Sequence, residues 1–91
     1  MPYYVYIIVS KHNNRLISYV GYTVNLHKRL INHNTSKGAK FTKGRKWDYL
    51  YIKEYKTKNK AMKEEYKLKK NYKLRNYLKS KYTKVWKKIY L

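Results

Sequence analysis

The stretch SYVGYTVNLHKRLINH, residues 18–33, carries a phenol, a guanidinium and an imidazole that could act together, on Tyr19, Arg29 and His33. If the second half of the stretch is helical, Arg29 and His33 lie one turn apart, at the edge of the apolar stripe that packs on a sheet. A guanidinium held close to a sheet generally requires an anion, and a phosphate matches its fork of N–H groups. A histidine beside an apolar stripe is more often a boundary residue than a functional one. The pattern therefore predicts an anion site at Arg29.

Glu65 raises a second chemical question, because it falls on the apolar face of a predicted helix. A carboxylate buried there is costly unless a cation compensates it. An ion pair with one of the many lysines would do so, and so would a metal ion. The chain has only 4 acidic residues, so the metal site it can build is Mg²⁺ held mostly by water and substrate phosphate. Glu64 lies toward the edge of the same helix, where Lys60 and Lys67 can form exposed ion pairs with it.

Hydrophobic periodicity predicts the elements that position these residues: two strands, a helix, a third strand and further helices. The first strand is almost continuously apolar, which is typical of a central strand covered on both faces. Thr23 or Asn25 would cap the first helix, and Thr57 or Asn59 the second.

The predicted strands are residues 3–10, 15–22 and 47–55, with a turn at 11–14, and the predicted helices are 25–34, from 57 or 59 to about 72, and one or two more from 73 onwards. The fold class is therefore α+β. It is a small three-stranded antiparallel sheet flanked by helices, in the order β-β-α-β-α-α.

Positive charge is the dominant feature of the composition: 24 basic residues against 4 acidic ones give a net charge of +20. Such a field attracts polyanions, and we favour nucleic acid, because a small domain of this charge repels itself unless a partner neutralises it. An AT-rich genome also produces a chain rich in lysine and tyrosine without any selection for binding. An anionic membrane surface is the weaker alternative, since it requires a basic amphipathic helix with a broad apolar face.

Length and composition exclude several classes of protein. A chain of 91 residues suits one small domain. Without cysteine, a disulfide framework, a zinc finger and a thiol nucleophile are all excluded. The longest apolar run is too short to cross a membrane, and no basic segment precedes it as in a signal peptide. We therefore expect a soluble intracellular protein of the cytoplasm or nucleus, with no membrane partner.

An ordered set of motifs resembles the GIY-YIG nuclease superfamily. The tripeptides YVY at residues 4–6 and YVG at 19–21 are similar to the two that give the superfamily its name, and Arg29, His33 and Glu65 follow. The loop KGAKFTKG and the helix KAMKEEYKLKK resemble those of two groups in particular. These groups are the small stand-alone members and the nuclease domain of structure-selective DNA repair endonucleases.

The resemblance implies a role for each matching residue. Tyr6 and Tyr19 would place two phenols beside the scissile phosphate, and one of them would help to deprotonate the attacking water. A phenol of ordinary pKa, about 10, is a poor base at neutral pH, so nearby cations would have to assist it. Arg29 would stabilise charge on the phosphoryl oxygens, and His33 would carry a proton or contact the phosphate. Glu65 would hold a single Mg²⁺, for which Mn²⁺ can substitute.

The match covers residues 3–72, which it marks as the nuclease core of a single domain of residues 1–91. Residues 73–91 then form a basic helical extension. Gly21 would act at a structural turn, where the backbone leaves the strand without a side chain in the way. The asparagine that many members use beyond the glutamate is replaced here by Tyr77.

The implied activity is hydrolysis of DNA phosphodiester bonds, selective for DNA structure rather than sequence. The expected partners are branched, flapped or single-stranded DNA, with a protein scaffold as a further candidate. Contacts to DNA are expected from seven basic residues: Lys40, Lys43, Arg45, Lys81, Lys84, Lys87 and Lys88. The alternative is a non-catalytic module in which sheet tyrosines stack bases and lysines follow the backbone. Such a module has no use for Glu65, so the enzyme is favoured.

Overall fold

The computed structural model describes the backbone of residues 1–90 and the side chains of residues 1–82. Strands β1 (Tyr3–His12) and β2 (Arg15–Thr23) form an antiparallel hairpin. Asn13 and Asn14 join them with φ of 49° and 64°, the left-handed conformation that a two-residue hairpin turn requires and that asparagine tolerates. The turn is therefore shorter than the predicted 11–14, and both strands extend further.

Strand β3 (Asp48–Tyr55) completes a three-stranded sheet in the order β2-β1-β3, and both pairs are antiparallel. This confirms the predicted α+β class and the predicted central position of the first strand. The pairing of β1 with β3 has a register shift between Ile7 and Ile8.

Two of the α-helices begin at local capping signals. Helix α1 (Leu26–Asn34) begins after Asn25, whose side chain accepts a hydrogen bond from the Lys28 backbone N–H. Helix α2 (Lys58–Lys70) begins after Thr57, which caps it in the same way. Of the two candidate caps for each helix, Asn25 and Thr57 are the ones used.

The C-terminal part differs in detail from the prediction. Helix α2 ends at Lys70, two residues before the predicted end, and one helix, α3 (Tyr72–Tyr90), follows it. The loop between α1 and β3 contains a short 3-10 helix, Lys40–Thr42. None of the helices in the described part of the chain is long and apolar enough to span a membrane.

Each face of the sheet is covered by a different layer, because successive side chains of a strand point to opposite faces. On one face, Tyr6 and Ile8 pack with Trp47 from the loop and with Leu26 and Leu30 of α1. On the other face, α2 and the first turns of α3 close over the core cluster of Val5, Ile7, Val20, Ala61 and Leu68. The chemically interesting side chains of β1 and α1 therefore share one face.

Candidate active site

Tyr6 is the centre of a buried hydrogen-bond cluster on the α1 face of the sheet. Its hydroxyl lies 2.8 Å from Nε2 of His33 and accepts a hydrogen bond of 3.2 Å from Nε of Arg29. Arg29 and His33 lie one turn apart on α1, as predicted, so a single helix brings both to the same phenol. Tyr6 and His33 are fully buried, whereas Arg29 is partly exposed.

Thr42 fixes the direction of the hydrogen bonds that His33 makes in this cluster. Its hydroxyl donates to the carbonyl of Ala39 at 2.8 Å and therefore accepts from Nδ1 of His33 at 2.9 Å. The His33 proton is thus on Nδ1, and Nε2 is a bare acceptor for the Tyr6 hydroxyl. The resulting chain runs from Arg29 through Tyr6, His33 and Thr42 to the backbone.

Electrostatics agree with this assignment. Burial lowers the pKa of His33 to about 4, and the positive charge of Arg29 adds to the effect, so the imidazole is neutral at neutral pH. Burial raises the pKa of Tyr6, opposed by the hydrogen bond from Arg29, so Tyr6 remains a protonated phenol. The same hydrogen bond raises the pKa of Arg29, which keeps its charge. His33 is therefore a structural and chemical member of the cluster and not a boundary residue of α1.

The loop after α1 is built to hold Thr42 in place. Asn34 donates to the carbonyl of Trp47 at 3.1 Å and accepts from its backbone N–H, which ties the two ends of the loop together. The Trp47 indole N–H donates to the carbonyl of Thr42 at 2.9 Å. Gly38 lies directly on the His33 ring, since a β-carbon there would come within 2.5 Å of Nδ1.

The prediction that Gly21 marks a turn was wrong. Gly21 lies inside β2, paired with Tyr6, and the strand continues to Thr23. A β-carbon at Gly21 would overlap the Tyr6 hydroxyl oxygen. The glycine is needed because the phenol, not a departing backbone, occupies that space.

Tyr19 and Phe41 form the partly open side of the site. Tyr19 pairs with Ile8 in the sheet and so points to the same face as Tyr6. The Tyr19 and His33 rings meet edge to face, with centroids 5.4 Å apart. Phe41 stacks on Tyr19 at 6.1 Å, with only 19° between the ring planes.

Glu65 lies on α2 with 16% of its side chain exposed, and its Oε1 pairs with Nζ of Lys69 at 2.8 Å. Its negative charge adds a minor contribution to the raised pKa of Tyr6, and the Lys69 ammonium in turn interacts with Tyr19. Glu65 therefore lies within electrostatic range of the phenols. Glu64, in contrast, pairs with Lys60 at 3.3 Å and with Lys67 at 3.6 Å, as predicted.

Among the residues with described side chains, Glu65 offers a hard cation one carboxylate near the phenols, and Lys69 already pairs with it. No group of three or more His, Asp or Glu side chains able to hold a metal occurs among the residues with described side chains. A single carboxylate suits Mg²⁺, which keeps several waters and takes further ligands from substrate phosphate. A metal ion at this carboxylate would have to displace the Lys69 ammonium.

Four of the seven basic residues predicted to contact DNA have described side chains. Lys40, the first residue of the 3-10 helix, and Lys43, which follows it, are both exposed. The Arg45 guanidinium carbon lies 6.0 Å from the Phe41 ring centroid. Lys81 is exposed on α3, with Nζ 4.8 Å from the Tyr77 ring centroid. The side chains of Lys84, Lys87 and Lys88 lie outside the described residues.

Comparison with known proteins places this arrangement in a family. Residues 2–88 match the GIY-YIG catalytic domain. The chain belongs to the GIY-YIG family. This domain is a nuclease domain, so membership implies endonuclease chemistry with DNA as the substrate.

Several bacterial relatives have similar lengths and sequences. The chain is 46% identical over 68 residues to a UPF0213 protein of Oceanobacillus iheyensis, covering 74% of this chain and 76% of the relative. It is 43% identical over 68 residues to a UPF0213 protein of Staphylococcus haemolyticus, covering 74% and 79%. The UPF0213 protein YazA of Bacillus subtilis is 41% identical over 69 residues, covering 75% and 67%. No solved structure matches this GIY-YIG chain significantly.

Sequence reasoning missed four residues that shape the GIY-YIG site: Gly38, Phe41, Thr42 and Lys69. The first three lie in the loop KGAKFTKG, for which the sequence predicted only DNA contacts by Lys40 and Lys43. A glycine and a threonine in a polar loop carry no periodic signal, so only their tertiary contacts distinguish them. Lys69 is four residues after Glu65, a spacing typical of helical ion pairs, and that signal was available.

Proposed function

We propose that this GIY-YIG chain is a metal-dependent endonuclease that hydrolyses phosphodiester bonds in DNA and selects DNA by structure rather than sequence. The observation that carries the proposal is the anchoring of Arg29 on the buried Tyr6–His33–Thr42 chain. Nε of Arg29 is occupied by Tyr6. The two terminal nitrogens keep their N–H groups for two oxygens of a phosphate.

Burial supports different roles for the two tyrosines of the tripeptides. Tyr6 is fully buried and its pKa is raised by that burial, so it is closed to solvent and unsuited to deprotonate a water molecule. We assign it to positioning Arg29. Tyr19 is partly exposed beside His33, where its phenolic oxygen can reach a water molecule. In the phenolate form it would take a proton from the water as the new P–O bond forms and the bond to the leaving oxygen breaks.

Arg29 and Glu65 supply the charges for this step. The Arg29 guanidinium would neutralise the negative charge that grows on the nonbridging oxygens. Glu65 would hold Mg²⁺ in exchange for the Lys69 ammonium, and that ion, when bound, would polarise the phosphodiester and stabilise the leaving oxygen. Exposed lysines around the site would bind the flanking backbone without reading sequence.

The test is a cleavage panel on labelled flapped, branched, single-stranded and duplex DNA, with and without Mg²⁺. We expect Mg²⁺-dependent cleavage that is faster on the flapped and branched substrates than on duplex. Binding without cleavage of any substrate would instead favour the non-catalytic module, in which tyrosines stack on bases and lysines contact the nucleic-acid backbone.

Two variants separate the roles of the tyrosines. Tyr19→Phe should lower kcat by about 10²-fold or more, the usual cost of losing a proton-transfer group, and leave KM unchanged. Tyr6→Phe should lower kcat and also raise KM, because Arg29 loses its anchor. Tyr55→Phe, on the opposite face of the sheet, is the matched control and should cleave as the wild type does. A wild-type rate for Tyr19→Phe would remove its phenol from the mechanism.

A further inference from the structure

Phe41 is a large apolar ring left exposed beside the candidate active site. It is the one phenylalanine of the chain, and 53% of it is exposed, whereas the adjacent Thr42 is fully buried. A phenylalanine at this exposure gains little from burial within the fold. The exposed part of the ring is therefore open to a ligand from outside the chain.

The ring is held in a defined orientation. The hydrogen bond between the Thr42 hydroxyl and Nδ1 of His33 holds the loop backbone next to Phe41. Tyr19 stacks against the ring at 6.1 Å, and Trp47 lies tilted against it at 6.3 Å. Because the neighbouring contacts are made by buried or partly buried groups, a ligand that stacks on Phe41 would not have to order it first.

The surroundings of Phe41 favour a nucleotide. Exposed Lys40 and Lys43 flank it in sequence, and the Arg45 guanidinium lies at 6.0 Å, the outer limit of a cation–π contact, where it can turn toward a phosphate. Tyr19 connects Phe41 to His33 through two successive ring contacts. A base stacked on Phe41 would therefore place its backbone beside Tyr19 and Arg29.

We propose that Phe41 is a stacking platform for one unpaired nucleobase adjacent to the scissile phosphate. A base inside a duplex is covered on both faces by its neighbours, whereas a base in a flap, branch or single strand offers a free face. Stacking on an aromatic side chain depends little on base identity, so this contact selects DNA structure and not sequence. The location beside a scissile phosphate rests on the proposed nuclease function, while the binding of an unpaired base can be tested without cleavage.

The experiment compares wild type with Phe41→Ala and Phe41→Trp, using a flapped DNA with 2-aminopurine in the unpaired strand and a duplex of equal length. Titrations without divalent cation measure affinity and fluorescence quenching with no cleavage. We expect Phe41→Ala to weaken flap binding about 10-fold, to lose the quenching, and to leave duplex affinity unchanged. Phe41→Trp should keep both the affinity and the quenching.

Tyr66→Ala is the matched control, because Tyr66 is 60% exposed on α2 and its ring contacts Lys70. It should bind both DNAs as the wild type does. The proposal is overturned if Phe41→Ala weakens flap binding and duplex binding equally. It is also overturned if the variant weakens neither, which would mean that the ring binds a ligand other than DNA. If wild type quenches the unpaired base but cuts nothing with Mg²⁺, the nuclease function fails and the stacking site stands.

Discussion

The Tyr6 hydroxyl occupies the space in which a side chain of Gly21 would stand. The two residues pair directly across β1 and β2, and a β-carbon at position 21 would overlap the phenolic oxygen and lie 2.6 Å from Cζ. The second tripeptide thus ends in glycine because the side chain of the tyrosine that ends the first tripeptide packs directly against it. The last residues of the two tripeptides, Tyr6 and Gly21, therefore contact each other.

Gly21→Ala should therefore displace the phenol from Arg29 and His33. We expect a loss of about 1–3 kcal/mol in the free energy of unfolding, as for other overpacked cores, and a larger loss of DNA cleavage than stability explains. Urea denaturation and initial cleavage rates measure the two effects. Gly44→Asn is the control, since Gly44 has open space around it and φ of +74°, a conformation that asparagine tolerates. Full activity in Gly21→Ala would contradict the proposed positioning of Tyr6.

Thr42→Val should reverse the tautomer of His33. The variant keeps the shape of the side chain but cannot accept from Nδ1, and a buried N–H left unpaired there would cost about 1–3 kcal/mol. The imidazole proton then moves to Nε2 and the Tyr6 hydroxyl loses its acceptor. Ring ¹⁵N chemical shifts of His33 report the tautomer directly. Thr42→Ser keeps the hydroxyl and should retain the Nδ1–H form; the same form in Thr42→Val would show that Thr42 does not set it.

Stability should fall with acid in a window set by His33. Its pKa is about 4 in the folded protein against the ordinary 6.5, so between these values the unfolded chain binds a proton that the folded one does not. The free energy of unfolding therefore decreases as pH falls from 6.5 to 4, by roughly 3 kcal/mol in total, and this contribution is constant above and below the window. Urea titrations across this range should show the slope in wild type and in the exposed-site control His27→Gln. His33→Gln should lack it.

The adjacent glutamates of α2 should behave differently. Glu65→Gln keeps the shape of the side chain but removes the charge that a hard cation requires, so Mg²⁺-dependent cleavage should disappear while DNA binding persists. Glu64→Gln breaks only exposed pairs with Lys60 and Lys67 and should cleave normally. Cleavage rates and DNA affinities of both variants provide the comparison. The reverse pattern would move the metal ligand to Glu64, and normal cleavage by both variants would exclude a metal role for Glu65.

Lys69→Met should strengthen the binding of Mg²⁺ to Glu65. The Lys69 ammonium lies 2.8 Å from the carboxylate and competes with any ion that binds there. Without it, we expect the Mg²⁺ concentration for half-maximal binding to fall about 10-fold, measured by calorimetry or by the shift in Tm with added Mg²⁺. Lys67→Met, which removes a partner of Glu64 instead, should leave the binding curve unchanged. An unchanged curve for Lys69→Met would mean that Lys69 and Mg²⁺ do not share the site.

The fold was largely predictable because its signals are local. Each signal depends on residues that are close in sequence. These signals are the continuous apolarity of β1, the two asparagines of the hairpin turn, and the helix caps at Asn25 and Thr57. The relation of Arg29 to His33 was equally local, since one turn of a helix sets it. The same holds for the pairing of Glu64 with Lys60 and Lys67.

The sequence by itself determined the strand and helix order and the face of α1 that carries Arg29 and His33. It also determined the net positive charge, which favours binding to a polyanion. Only the tertiary structure decided that Gly21 stays inside a strand, that Thr42 sets the His33 tautomer, and that Phe41 is exposed beside Tyr19. These facts depend on contacts between a strand, a helix and an irregular loop. No periodicity encodes such contacts, because they arise only when distant segments pack against each other.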